Sequence, residues 1–343
     1  MELTDLMNES IEMMENDFYS KKFYFSYSSL NKLMWNPQAF YQMYVLGNRE
    51  EKVESYLVNG KIIHALLLEP EKFGDQFIIS PDTLPTGNAR IVLDRVFAHH
   101  QELAKSGDPR VHLSDFHGAI VDVMKDMNYH QNLKTDQQRV EKIIGSPDNL
   151  NYWDFLKKKG NKTLIDQASY DFCLTAVDLI KTDYKVVDLL GLNVNEFSNK
   201  EVFNELPVES DITGKAFGLK GVVDNIVIDH NTRIININDL KTTSKDLKDF
   251  PESIEFYSYW MQAVIYSSLI AIKFINLIEN GYELKFNFVV IDKNYQVYAF
   301  PVSEKTRNEW FNRFSDVINK ADWHYTNKSY DLPYDFANGK IIL

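Results

Sequence analysis

Two carboxylates and a lysine lie near the ends of neighbouring predicted strands in the second half of the chain. Asp239 and Lys241 are two residues apart in the strand-like segment 235–241, so their side chains share one face. Asp224 lies toward the end of the preceding strand, and a turn at 229–232 joins the two strands into a hairpin in which the aspartates can converge. Two hard oxygen ligands suit magnesium or manganese acting on a phosphate, and the lysine can orient water or stabilise developing charge. Alternatively, Asp239 and Lys241 form an exposed ion pair at a strand end.

Two helices must cover these strand ends if the residues form one site. Gln262 and Tyr266 are four positions apart in a predicted helix that follows the strand of Lys241, so they share a helix face. His64 lies four positions after Gly60 in an earlier helix, where the glycine allows close backbone approach and the imidazole can supply a metal ligand. Alternatively, Tyr266 is a core residue, Gln262 a surface residue and His64 a satisfied core histidine.

The predicted elements divide the chain into a helical first part and a mixed second part. β-Branched residues at alternating positions predict strands, and apolar residues at helical spacing predict helices. An early helix is expected to start at Ser28 or Ser29. From residue 201 the predicted order is strand, strand, strand, helix, strand, strand, helix, with the helices at about 253–277 and 304–321. This order predicts an α/β (α+β) fold with a mixed central sheet flanked by helices.

The predicted domain organisation is one large domain with an insertion. Residues 1–20 are an acidic N-terminal segment, interpreted as frayed or loosely docked. A single domain is expected over residues 21–343. Within it, a mainly helical insertion at 76–200 precedes a sheet–helix core at 201–322.

The composition is that of an ordinary globular protein with excess negative charge. The 343 residues include 44% hydrophobic and 25% charged residues, and the formal net charge is −12. The charge argues against a general nucleic-acid coat protein, because phosphate contacts need lysine and arginine. Local basic groups can still contact a nucleic-acid backbone, or they are solvated surface residues. These groups are Lys220, Lys241, Lys245, Lys248 and Lys157–Lys159.

The cysteine content and the N-terminal segment bear on location. The single cysteine, Cys173, excludes an internal disulfide and a four-cysteine iron–sulfur cluster, and favours a reducing intracellular environment. The acidic N-terminal segment lacks the basic start and apolar run of a secretory signal. No stretch approaches about 18 uninterrupted apolar residues, so no membrane span is expected. The chain is therefore expected to be cytoplasmic.

Four short motifs follow one another along the chain. They are N-G-x-x-x-H at 59–64, G-V-V-D at 221–224, D-L-K-T at 239–242 and Q-x-x-x-Y at 262–266. Together they resemble the PD-(D/E)XK nuclease superfamily, in particular its RecB-like branch. The segments 24–75 and 200–303 are further similar to phage and prophage exonucleases of the RecE (exonuclease VIII) type. Residues 76–200 match these only in being helical.

The resemblance implies a restriction-endonuclease-like PD-(D/E)XK core with a metal site for magnesium, or manganese as its substitute. The residues implied to hold the metal are His64, Asp224, Asp239 and Leu240, the last through its main-chain carbonyl. The residues implied in catalysis are Asp224, Asp239, Lys241, Gln262 and Tyr266. His64 is alternatively the partner of a ligand, and Glu205 on the preceding strand can also approach the site. The iron–sulfur cluster of some members is not expected here.

The function that the resemblance implies is hydrolysis of phosphodiester bonds by a metal-dependent DNA exonuclease. The implied setting is phage-type recombination or DNA processing in a bacterial or phage-infected cell. The implied partners are linear double-stranded DNA, a single-strand annealing protein and further copies of the chain in a homo-oligomer. Two alternatives stay open: a structure-specific or single-strand DNA nuclease on the same core, and a non-catalytic DNA-binding protein on a nuclease scaffold.

Overall fold

The computed structural model describes residues 3–48, 55–81, 83–85 and 87–341. The predicted N-terminal segment begins with residues 1–2, and the predicted domain ends with residues 342–343; both pairs lie outside the described residues. The chain divides into two compact units. The first consists of Met1–Pro70 and Cys173–Leu343, and the second of Glu71–Phe172.

The described strands and α-helices are numbered separately, each in chain order. The strands are β1 Tyr24–Phe25, β2 Phe77–Ile79, β3 Thr163–Ile165, β4 Lys200–Asp211, β5 Gly218–Asp229, β6 Ile234–Thr243, β7 Glu283–Asp292 and β8 Val297–Val302. The α-helices are α1 Leu3–Ser20, α2 Tyr27–Trp35, α3 Pro37–Phe40, α4 Ser55–Leu68, α5 Phe73–Gln76, α6 Gly87–Lys105, α7 His117–Asp126, α8 Asp136–Ile144, α9 Pro147–Lys159, α10 Gln167–Thr182, α11 Tyr184–Leu189, α12 Phe250–Phe256, α13 Tyr259–Lys273, α14 Ile275–Glu279, α15 Glu304–Asn327 and α16 Tyr334–Ala337.

A mixed six-stranded sheet forms the centre of the first unit. Its strands follow the order β1–β5–β6–β7–β8, and β4 pairs with the other edge of β5. The pairs β1–β5 and β6–β7 are parallel, and the remaining pairs are antiparallel. The predicted mixed sheet with flanking helices is thus confirmed.

One edge of β5 is shared by two strands with a gap between them. β4 pairs along the whole of β5 on one edge, so β1 and β6 must both occupy the opposite edge. β1 pairs there at Gly218 and Leu219, and β6 pairs from Asn225 to Asp229. Among the described residues, positions 220–224 have no strand partner on this edge. The gap therefore ends at Asp224.

Helix α13 packs its apolar side against one face of the sheet. Ile235 and Ile237 of β6 belong to the same buried cluster as residues of α13 such as Ile265. The single helix expected at about 253–277 is instead three helices, α12 to α14. Its first division falls at Ser258, whose φ of 58° is left-handed and cannot continue a helix.

The start of α2 differs by two to three residues from the expected position. Its N-cap is Ser26, not Ser28 or Ser29. The Ser26 side chain accepts from the backbone N–H of Ser29, and the Ser29 hydroxyl accepts from the backbone N–H of Ser26. A serine in the third helical position thus takes the part usually played by glutamate or glutamine in a capping box.

The segment expected to be frayed or loosely docked contains helix α1. At the end of this helix, Tyr19 and Tyr330 are joined by a hydroxyl–hydroxyl hydrogen bond of 2.6 Å. The hydroxyl of Tyr41 donates to the Glu15 carboxylate at 2.8 Å, and Phe18 packs against the buried cluster. The last turns of α1 therefore contribute to the core of the first unit.

Four asparagines form a hydrogen-bonded row across four adjacent strands on the sheet face opposite α13. They are Asn204, Asn225, Asn238 and Asn287, which lie directly across from one another in β4 to β7. Asn225 donates to Asn204 at 2.8 Å and Asn238 to Asn225 at 2.8 Å. Asn287 donates to Asn238 at 3.0 Å. The row fixes the register of the strands that carry Asp224 and Asp239.

The asparagine row also satisfies carbonyls at helix ends. Leu68 ends α4, Leu189 ends α11, and Leu190 follows it. Their carbonyls accept from Asn204 at 2.8 Å, Asn238 at 2.8 Å and Asn225 at 3.0 Å. The last carbonyls of a helix lack partners within the helix, so these bonds attach α4 and α11 to the sheet.

The second unit, Glu71–Phe172, has its own core. Trp153 of α9 packs near Phe116 and Phe97 with ring centroids 5.5 and 5.2 Å apart, and the Trp153 indole donates to the Val111 carbonyl at 3.0 Å. β2 and β3 form a short parallel pair. The insertion expected at 76–200 overlaps this unit at residues 76–172. In the part of the chain that the structure describes, no helix is long and apolar enough to cross a membrane.

We expect Asn238→Ala to destabilise the protein by about 2–5 kcal/mol, because it leaves the Leu189 carbonyl and two neighbouring asparagines without buried partners. Urea unfolding followed by circular dichroism measures this change. The exposed Asn319→Ala is the control and should change stability by less than about 0.5 kcal/mol. Equal stability of the two variants would contradict the structural importance of the row.

Candidate functional site

Helix α4 places His64 against the gap in the β5 edge. A Cβ atom on Gly60, one helical turn earlier, would lie 3.2 Å from the Thr242 hydroxyl, so glycine allows α4 to approach β6 closely. Cys173 donates its Sγ–H to the Asn59 carbonyl at 3.6 Å on the same helix. The close approach directs the imidazole of His64 toward the strand ends.

His64, Glu205 and Asp224 form a compact group of potential metal ligands. One ligand atom from each lies within 4.8 Å of the other two. Nδ1 of His64 is 3.4 Å from the Glu205 carboxylate, and Nε2 is 3.7 Å from Oδ2 of Asp224. The His64 and Glu205 side chains keep about a quarter of their surface exposed, so the group is open on one side.

A local irregularity of β4 and β5 aims Glu205 and Asp224 at this point. Glu205 faces Asp224 between two regular cross-strand pairs, and its φ of 47° is left-handed. The alternation of β5 is interrupted at the same place, since Val223 and Ile226 both belong to the core cluster although they are three residues apart. A non-glycine residue in this conformation costs on the order of 1 kcal/mol and commonly marks a functional position.

Leu240 links the two halves of the site through its backbone. Its N–H donates to Oδ2 of Asp224 at 2.8 Å, at the point where the β5–β6 ladder has ended. Its carbonyl oxygen lies 3.0 Å from Nε2 of His64. The side chain of Asp224 therefore replaces a ladder hydrogen bond and holds the separating strands at a fixed spacing.

Asp239 and Lys241 form a buried ion pair beside this group. Asp239 is fully buried, and the Lys241 ammonium lies 2.5 Å from its Oδ2. The ammonium also lies 4.9 Å from the centre of the Tyr259 ring. Apart from the contact with Lys241, neither carboxylate oxygen of Asp239 has a hydrogen-bond partner among the described residues. The alternative of an exposed ion pair at a strand end is therefore wrong for these two residues.

Gln262 and Tyr266 line the same region from helix α13. Nε2 of Gln262 donates to the Tyr266 hydroxyl at 3.1 Å, and both side chains are buried. Oε1 of Gln262 lacks a hydrogen-bond partner among the described residues. A Cβ atom on Gly221 would lie 2.5 Å from the Tyr266 ring, so a glycine is needed here to leave room for the ring against β5.

The pKa values show how the buried charges balance. Burial raises the pKa of Asp239 to about 6, while Lys241 opposes the rise. Burial disfavours the charged form of Lys241, but Asp239 and Asp224 outweigh it and raise its pKa. Burial likewise opposes the protonation of His64, yet Asp224 and Glu205 raise its pKa to about 9. His64 is therefore a cation at neutral pH in the metal-free protein.

The donor set fits a divalent cation. The carboxylates of Glu205, Asp224 and Asp239 and the Leu240 carbonyl supply hard oxygen donors around the same gap, and the oxygens of Asp239 are short of hydrogen-bond partners. The protonated imidazole of His64 balances the charge of Glu205 and Asp224, and a metal ion could replace that proton. Asp239 lies outside the compact ligand group, because its carboxylate is turned to Lys241.

The structure brings the predicted residues together in three linked sets. The sets are His64 with Asp224 and Leu240, Asp239 with Lys241, and Gln262 with Tyr266. Sequence reasoning did not identify Tyr259, which contacts Lys241. Its position three residues before Gln262 on the same helix is a signal that could have found it.

Two solved structures are distantly similar to this chain. No protein-family model and no curated protein matches the chain. A solved structure of a protein from Eubacterium rectale, provisionally named an exonuclease, is 12% identical with a TM-score of 0.41, covering 93% of this chain and 86% of that one. A second solved structure, of a protein named without a function, is 20% identical with a TM-score of 0.25, covering 43% of this chain and 66% of that one. Neither likeness identifies a family or a function.

In the presence of a chelator, the stabilising contribution of His64 should fall with rising pH. Its pKa is about 9 when folded and 6.5 when unfolded, so the contribution is complete below pH 6.5 and is lost as the pH rises through 9. The amount is on the order of 3 kcal/mol. Urea unfolding of the parent and of His64→Gln at several pH values measures it. Parallel pH profiles for the two proteins would contradict the raised pKa.

Proposed function

We propose that this chain is a metal-dependent nuclease that hydrolyses phosphodiester bonds of DNA at the gap in the β5 edge. The observation that carries the proposal is the convergence of the His64–Glu205–Asp224 group with the buried Asp239–Lys241 pair. Carboxylates that can hold a cation, beside a fixed ammonium, suit the stabilisation of negative charge on a phosphate. The same arrangement supports a PD-(D/E)XK core with RecB-like features.

The proposed metal is magnesium, with manganese as its substitute. His64, Asp224, Asp239 and the Leu240 carbonyl would hold it, and Glu205 would take part. When bound, the ion supplies Lewis-acid charge for the scissile phosphate and makes water more acidic. Manganese, like magnesium, suits the carboxylates and the Leu240 carbonyl.

Lys241 is proposed as the catalytic lysine. Its raised pKa keeps it charged, and Asp239 and the ring of Tyr259 hold the ammonium in one place. A fixed cation in a site with little water stabilises developing negative charge without reorganising during the reaction. Its position beside the carboxylates places this charge where a phosphate would meet them.

Gln262 and Tyr266 are proposed to orient water and the sugar–phosphate backbone. The free Oε1 of Gln262 can accept a hydrogen bond from water, while its Nε2 is already committed to Tyr266. Burial, together with Asp224 and Asp239, raises the pKa of Tyr266, so its hydroxyl stays protonated as a donor. The Tyr266 hydroxyl thus stays a hydrogen-bond donor, and the Gln262 amide keeps its oxygen as the available acceptor.

The more specific proposal is an exonuclease that digests linear double-stranded DNA in phage-type recombination or DNA processing. A homo-oligomer, a single-strand annealing partner and a location inside a bacterial or phage-infected cell belong to the same proposal. These features derive from the similarity of segments 24–75 and 200–303 to phage and prophage exonucleases of the RecE type. A single-strand or structure-specific nuclease is the second candidate, and the exposed aromatic side chains of Trp35, Phe256 and Tyr257 favour it.

We expect the purified protein to hydrolyse DNA with magnesium or manganese, and a chelator to abolish this activity. Lys241→Ala should lower the rate about 10²–10³-fold, because it removes one fixed charge. Asp239→Asn should lower it at least as strongly. Lys285→Ala, a surface lysine beside Glu283, is the matched control and should keep the parent rate. Parent activity in Lys241→Ala would refute the assignment of this lysine.

The form of DNA that is digested separates the two candidates. An exonuclease should release nucleotides from linear duplex and leave covalently closed circles intact, because it needs a strand end. A single-strand nuclease should prefer single-stranded DNA, whether it is linear or circular. Release of acid-soluble nucleotides from the linear substrates measures exonuclease activity, and gel electrophoresis detects cutting of closed duplex circles, which would exclude a strict exonuclease.

A further inference from the structure

A row of aromatic rings leads from the protein surface to Lys241. Trp35 and Phe256 are 63% and 61% exposed, and Tyr257 is 44% exposed. The ring centroids of Trp35 and Phe256 are 6.5 Å apart, those of Phe256 and Tyr257 are 4.9 Å apart, and those of Tyr257 and Tyr259 are 5.3 Å apart. The Tyr259 ring is the one that the Lys241 ammonium contacts. We call these four aromatic side chains the aromatic row.

The backbone that presents the aromatic row is held rigidly. The left-handed Ser258 turns the chain between α12 and α13 and leaves Phe256 and Tyr257 outside the core. The Tyr257 carbonyl accepts hydrogen bonds from the Tyr27 hydroxyl at 2.5 Å and from Nδ2 of Asn31 at 3.3 Å. Both donors lie on α2, the helix that ends at Trp35. The exposed rings therefore stand on two elements fixed to each other.

Exposed rings of this kind need an explanation outside folding. Three neighbouring large aromatic side chains in water form an apolar patch, and such a patch commonly marks a binding surface. The ammonium of Lys245 lies 5.8 Å from the centre of the Phe256 ring, which adds a positive charge to the patch. A positive charge beside a row of rings suits a ligand that offers flat bases and phosphates together.

We propose that the aromatic row binds an unpaired nucleic-acid strand by base stacking and delivers it to the site at Lys241. The inference rests on the proposed nuclease function and adds the form in which the substrate enters: its bases are unpaired before they reach the carboxylates. Stacking has little sequence preference, because every base offers a flat face. The continuity of the row with Lys241 favours a nucleic-acid strand over a protein partner.

The test measures binding without hydrolysis. Fluorescence anisotropy in a chelator follows a labelled oligothymidylate of about 16 nucleotides, which fits the upper range of sites that bind by stacking. Trp35→Ala and Phe256→Ala should each weaken binding about 5- to 100-fold. Phe256→Tyr keeps a ring and should restore affinity. Phe197→Ala removes another exposed ring, 85% exposed, and should bind like the parent.

An abasic oligomer of the same length separates stacking from charge. The parent should bind it at least about 5-fold more weakly than oligothymidylate, because the phosphates are the same and the bases are missing. Equal affinity for the two oligomers would overturn the proposal, as would ring variants that bind like Phe197→Ala. Repeating the measurements with the corresponding oligoribonucleotide distinguishes DNA from RNA as the source of the bases.

Hydrolysis of the same oligomers is measured separately with magnesium. One outcome is that the parent cuts DNA while the ring variants bind and cut like the parent. Strand binding by the aromatic row is then refuted, and the nuclease function is supported. If the ring variants lose binding but the parent cuts no substrate, strand binding by the aromatic row is supported and the nuclease function is refuted. Phe197→Ala, whose exposed ring lies outside the row and outside the site, should bind and cut like the parent.

Discussion

A carboxylate that is removed from water must be balanced by a cation or take up a proton, and this requirement governs the arrangement around Asp239. Asp239 has no exposed surface, and burial alone would drive it toward the neutral acid. Lys241 supplies the balancing charge at 2.5 Å, while His64 does the same for Asp224 and Glu205. In the metal-free protein, the two cations thus keep three closely spaced carboxyl groups compatible with the fold.

The sheet has an opening beside Asp224 instead of a continuous edge of paired strands. A complete strand beside positions 220–224 of β5 would cover Asp224, and the gap between β1 and β6 prevents this. The opening weakens the sheet locally, and the asparagine row lies directly beside it. Asn225 and Asn238 follow and precede the two aspartates in sequence and are bonded to each other at 2.8 Å. A buried polar network that is fully satisfied can fix one arrangement of strands more narrowly than apolar packing does.

The sequence predicts the strands β4 to β8, their succession along the chain and the shared face of Asp239 and Lys241, because these depend on alternation and short spacing. The division of the helix at Ser258 was not predictable, since no glycine or proline marks it and tertiary contacts hold the turn. The place of Glu205 depends on a left-handed backbone conformation that is uncommon for a glutamate. The asparagine row was not predictable either, because each asparagine, taken alone, disfavours a strand. Only the cross-strand register reveals that the four are one network.

The net charge of −12 argues against tight binding of a nucleic acid through its phosphates. The aromatic row offers binding that does not depend on phosphate contacts. Charges separated by more than about 8 Å are largely screened at physiological salt, so acidic residues elsewhere on the surface contribute little at Lys241. Stacking on Trp35 and Phe256 does not depend on the sign of the surface charge. Lys241 and Lys245 then need to hold only the few phosphates next to the stacked bases. An acidic chain can therefore bind an unpaired strand locally while its overall charge weakens adsorption to intact duplex.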